Sequence, residues 1–112
     1  MKQPRSSFFL QASRYLKDQF QLDEITLEGL LLEARKTIFA DLSMLKKALR
    51  DEDREAIKKT GHSMKGALLN LGFAELAEEA REVEYIPSVQ ESTHRETIKR
   101  FIKRVEILVG SL

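Results

Sequence analysis

One segment limits the possible folds more than any other. Across residues 26–49, Leu27, Leu30, Ala34, Ile38, Leu42, Leu45 and Leu49 recur at steps of three or four. That is the period of an α-helix with a single apolar face, sustained for about six turns. A helix of this length with one greasy side needs partners of the same kind. The rest of the chain supplies them.

Residues 7–20 place Phe9, Ala12, Leu16 and Phe20 on one side and predict a short amphipathic helix. The run Arg50-Asp51-Glu52-Asp53 interrupts the long stripe. Asp51 or Asp53 can cap the helix that follows, and acids there suit its dipole. That third helix, residues 53–71, carries Ile57, Gly61, Met64, Leu68 and Leu71 inward. Gly72 is a natural stop, since it accepts positive φ without strain. Residues 73–85 form a fourth helix, with Phe73, Leu76, Ala77, Ala80 and Val83 inward and Pro87 just beyond its end. Thr93 and Glu96 form a capping-box pattern before the last helix, with Ser88 and Glu91 as an earlier alternative. That helix uses Ile98, Phe101, Ile102, Val105, Leu108 and Val109. The expected class is all-α: an antiparallel up-down four-helix bundle over residues 26–110. Residues 1–22 add a short N-terminal helix and its connection, covering one end. The 112 residues suit one domain, with no internal repeat or linker.

Composition excludes several functions. Nineteen basic and 18 acidic residues are interspersed, for a net charge of +1, so nothing points to nucleic acid. No uninterrupted apolar run exceeds three residues, which rules out a helical membrane span or a signal-peptide core. Cysteine is absent, which removes disulfides and thiolate metal sites and fits a reducing cytoplasm. No glycine-rich phosphate loop is present, so no nucleotide site is expected, and the acids at 51–53 lack the spacing of an EF-hand.

The informative residue is His62. At about 100° per residue it lies roughly 140° from the centre of its helix's apolar stripe, facing water. Lys58, Lys65, Gly66 and Leu69 share that exposed side. A neutral imidazole is a good nucleophile near pH 7. Lys58 at i−4 and Lys65 at i+3 can offset the charge of a phosphoryl group. Gly66 at i+4 costs the helix about 1 kcal/mol relative to alanine, and it keeps the approach to the ring open. Gly61 lies on the apolar stripe and suits close helix packing instead. Leu69, on nearly the same face as His62, offers a partner something apolar to bury. The second histidine, His94, reads as a solvated residue near a helix start, and the two histidines lack metal-ligand spacing.

The series His62-Ser63-Met64-Lys65-Gly66, with Gly72 six residues on, resembles the H-x-x-K-G-x-x-x-x-x-G signature of histidine phosphotransfer domains. Phe73-Ala74-Glu75-Leu76-Ala77 through Val83-Glu84 is similar to that family's next helix. The family commonly has alanine where Gly61 stands. The resemblance implies a four-helix bundle and a phosphocarrier that is not an enzyme. His62 would accept phosphate from an aspartyl phosphate on a response-regulator receiver domain and pass it to another receiver. A hybrid sensor kinase would stand upstream. Lys65 would be the electrostatic neighbour and Gly66 the access residue. Glu84 would orient the imidazole by accepting a hydrogen bond from Nδ1. Lys58 and Leu69 are candidate partner-binding residues. No cofactor of its own is implied; the Mg2+ would sit on the receiver. The start at Met1 and the lack of a flanking catalytic domain suggest a stand-alone shuttle. The rival reading is an adaptor that docks a receiver or another helical partner without chemistry. The intact His62-Lys65-Gly66 set favours the carrier.

Overall fold

A computed structural model describes residues 7–112, so the first six residues of the expected N-terminal segment lie outside it. Five helices follow in order: α1 Ser7–Phe20, α2 Glu24–Arg50, α3 Arg54–Asn70, α4 Ala74–Glu84 and α5 Ser92–Ser111. Helices α2 to α5 pack in sequence around one core, and α5 returns to lie against α2. Each bundle helix runs opposite to the one before it, as short connections require. The fold is therefore all-α, a short N-terminal helix followed by a four-helix bundle.

The inward residues expected for α3, α4 and α5 are all buried. In α2 the stripe is shifted at its start, where Leu31 is buried and Leu30 is exposed. At 27 residues α2 outruns its partners. Its first turns therefore meet α1 and the end of α3 in place of the bundle centre. Phe20, expected inward, is exposed, because it is the last residue of α1 and lies past the turns that bury Ala12 and Leu16.

Helix ends follow local chemistry. Asp23 caps α2 by accepting from the Thr26 N–H at 2.7 Å, and Asp53 caps α3 by accepting from the Ala56 N–H at 3.1 Å. Asp51 has a different task, pairing with Lys47 at the end of α2. After α3, Gly72 takes φ +83° and the Phe73 N–H reaches back to the Leu68 carbonyl at 3.0 Å. This is the Schellman stop, with Phe73 and Leu68 as its apolar pair. The capping box expected at α5 does not form: α5 starts at Ser92 after Glu91, without a side-chain cap. Ser88 instead accepts from the Gln90 N–H within the loop.

Helix α1 does cover one end, the end that holds the α3–α4 turn. Gln11 donates to the Gly72 carbonyl, and the Phe8 ring meets Phe73 edge-on at 5.8 Å. A Cβ on Gly72 would fall 2.5 Å from the Tyr15 ring. Glycine is thus required there twice, once for its φ and once for space.

Candidate functional site

The site is built where α3 and α4 approach most closely. Gly61 makes that approach possible. A Cβ at Gly61 would lie 3.0 Å from the Glu84 backbone nitrogen and 3.2 Å from the Ala80 carbonyl oxygen. With only a hydrogen there, the α4 backbone at Glu84 rests directly on α3. The close approach brings the Glu84 carboxylate beneath the next residue, His62.

Glu84 Oε1 lies 2.9 Å from Nδ1 of His62. A carboxylate can only accept, so the neutral ring carries its proton on Nδ1 and leaves Nε2 bare. The His62 side chain is 68% exposed while that of Glu84 is 7% exposed. The ring therefore stands in solvent on a buried acidic footing. The second oxygen, Oε2, receives Lys65 Nζ at 3.3 Å. Burial pushes the Glu84 carboxyl up, but hydrogen bonds from Lys65 and His62, and their charge, outweigh it and hold the group below its ordinary value. Glu84 stays ionised near neutral pH.

Lys65 is not the exposed cation its spacing predicts. Only 25% of its side chain is accessible. Residue 65 lies about 40° around α3 from Gly61, on the flank that meets α4. Its stem is covered there and its ammonium is already paired. Lys58 and Gly66 are exposed, as expected from the pattern. No atom of another element lies within 4 Å of a Cβ placed on Gly66, so the space beside the imidazole is open. Leu69 is 48% exposed on the same side. Glu84 thus joins His62 and Lys65, one on each carboxylate oxygen, with Gly66 as clear space beside the ring. Lys58 and Leu69 flank this group along α3.

One contribution escaped the sequence reading. Asp41 of α2 is buried and accepts from the Ser63 hydroxyl at 2.8 Å. This bond ties α3 to α2 at the residue next to His62 and resists rotation of the helix. The available signal was an acid standing beside Leu42 within the core-facing rows of α2.

His94 is not simply solvated. Its Nδ1 donates to the Ser88 carbonyl at 2.8 Å, and its side chain is 26% exposed. It fastens the α4–α5 loop. Among the described residues, no group of three or more His, Cys, Asp or Glu side chains could hold a metal, and no helix is long and apolar enough to cross a membrane.

Comparison with known proteins gives one assignment. The family model described as the Hpt domain matches residues 29–106, from the second turn of α2 into the last turns of α5. No curated protein and no solved structure gives a significant match.

Proposed function

Since this chain belongs to the Hpt domain family, whose members are phosphocarriers that work with receiver domains and sensor kinases, we propose that Nε2 of His62 is the atom that carries the phosphoryl group. The reading rests on one observation: Nδ1 is tied to an ionised, buried carboxylate while the rest of the ring stands in solvent.

In the forward step the Nε2 lone pair attacks the phosphorus of a receiver's aspartyl phosphate. An N–P bond forms, the P–O bond to the aspartate breaks, and its electron pair leaves with the carboxylate. The imidazole becomes cationic as the bond forms. Glu84 lies beneath the ring to stabilise that charge and to keep the proton on Nδ1. The lowered pKa of Glu84 suits a stabilising carboxylate better than one that takes the proton away. The reverse step, onto the aspartate of a second receiver, needs the same groups. Lys65, held next to the ring by Glu84, is within reach of phosphoryl oxygens brought to Nε2. Gly66 leaves room for the receiver's approach. Lys58 and Leu69 offer it one charged and one apolar contact. The Mg2+ that phosphoryl chemistry on an aspartate requires belongs to the receiver. Response-regulator receivers and a hybrid sensor kinase are the partners this reading calls for, in the cytoplasm.

The test is transfer itself. The protein is mixed with a labelled phospho-receiver and Mg2+ in buffer free of ATP. Wild type should take up label that is lost in acid and survives base. His62→Gln should take up none. Label retained by His62→Gln would remove His62 from this role.

A further inference from the structure

Helix α2 is longer than the bundle it belongs to. Lys46 pairs with Glu106 at 3.2 Å, and antiparallel α5 ends at Ser111. At equal rise per residue, the last turn of α5 is level with about residue 40 of α2. The first four turns of α2 therefore project past α5. Helix α1 packs against this overhang, yet one side stays bare. Ile25, Leu32 and Phe39 lie on that side, 84%, 51% and 59% exposed. Their steps of seven drift by only about 20° each, so the three form one line along the helix. Isolated exposed apolar residues are ordinary, but a row of them is the pattern of a helix–helix seam.

We propose that this line is a two-fold interface with a second copy of the chain, in which α2 packs antiparallel to its symmetry mate about Leu32. The charges around the row select this occupant. An antiparallel pairing centred on Leu32 sets Ile25 against the mate's Phe39 and Leu32 against itself. Glu28 and Arg35 flank the row on the same side, about 40° and 60° from Leu32. A two-fold axis through Leu32 brings each Glu28 beside the mate's Arg35, so two ion pairs close over the apolar line. Both side chains are exposed, and neither forms an ion pair within the described chain. Gly29, with open space around it, allows the two backbones to come close. His62 lies on the flank of α3 that faces α4, away from this surface, so both sites of a dimer stay accessible.

The seam is short for an interface, so association should be weak and dependent on concentration. Sedimentation of the full chain from about 1 μM to about 1 mM should show the mass rise from one chain toward two. Leu32→Glu sets two carboxylates on the axis and should keep the protein monomeric over that range. Glu28→Arg should weaken association about tenfold, and adding Arg35→Glu should restore it, since the pair is then reversed on both sides. All these residues are exposed, and circular dichroism should show an unchanged helix content. Leu32→Cys, the only thiol in its chain, should form a disulfide dimer on mild oxidation. A single-chain mass at every concentration would overturn the proposal. So would a dimer that survives Leu32→Glu, or a charge reversal that fails to restore pairing.

Discussion

Both histidines of this chain hold Nδ1 in a hydrogen bond of nearly the same length, 2.9 Å at His62 and 2.8 Å at His94. They differ in everything else that matters to chemistry. The Nδ1 of His94 is held closest by a backbone carbonyl, with the Glu91 carboxylate farther off at 3.5 Å and itself 65% exposed to solvent. The partner of His62 is a buried carboxylate, which fixes the ring and can stabilise it as a cation. His94 is mostly covered and closes a loop. His62 is mostly exposed, with open space over Gly66 and an ammonium one helical turn away. A tied Nδ1 is thus a structural feature that any histidine can have. The proposed role of Nε2 calls in addition for a charged partner below, clear space above and a cation beside it, and His62 has all three.

The comparison can be tested by removing these features one at a time. The largest effect is expected from filling the space. Gly66→Gln should slow phosphoryl transfer to His62 by about 100-fold, because the receiver can no longer bring its phosphorus to Nε2. The melting temperature should not fall, since glycine is the poorer helix former. Normal transfer by this variant would show that access over Gly66 is irrelevant.

Removing the charge beneath the ring comes next. Glu84→Gln keeps the shape and should slow transfer by about 30-fold. The same variant gives a pH test. The folded-state pKa of Glu84 lies below its ordinary value of 4.5, so its contribution to stability is present above that value. It is lost as pH falls through the folded pKa. Melting temperatures of wild type and Glu84→Gln should therefore differ most near neutrality and converge in acid below pH 4.5. A gap that widens in acid would reverse the sign and contradict the ion-pair account.

Lys65→Ala should slow transfer by about tenfold, as one charge near the phosphoryl group is lost. Because Lys65 is three-quarters covered and bonded to Glu84, the variant should also lose about 1–2 kcal/mol of stability. A purely solvated lysine would cost no more than about 0.5 kcal/mol. Chemical denaturation separates the two. The smallest effect is the counterpart at the other histidine. His94→Gln should lower stability by about 1 kcal/mol, through the lost bond to Ser88, and leave transfer unchanged. Slower transfer in that variant would erase the distinction between the two rings.

Much of this was legible from periodicity. The five helices, the buried rows of α3, α4 and α5, and the stop at Gly72 all follow from spacing and from one glycine. The exposed position of His62 and the open space at Gly66 follow from the same wheel. What spacing does not convey is which neighbour each flank meets. Lys65 reads as solvated because it is polar and off the apolar row, yet its flank faces α4. Leu30 reads as buried because it continues a row, yet α2 has outrun its bundle there. The capping pattern at Thr93 and Glu96 is sound locally. It fails because the helix starts earlier, while His94 and Arg95 bond to carbonyls of the preceding loop. Pairings such as Asp41 with Ser63 cross between helices and depend on the rotation of both, which no single periodicity fixes. Gly61 was legible as a packing residue. That its packing delivers Glu84 to the neighbouring ring needed the fold.

The proposed chemistry centres on a single atom, Nε2 of His62, and nuclear magnetic resonance can examine that atom directly. Protein labelled with 15N is phosphorylated by a cognate receiver, and the 31P–15N couplings of its histidines are recorded. The phosphoryl group should couple to Nε2 of His62, whose Nδ1 keeps its proton, while His94 stays unmodified. Coupling to Nδ1 of His62, or to either nitrogen of His94, would contradict the account.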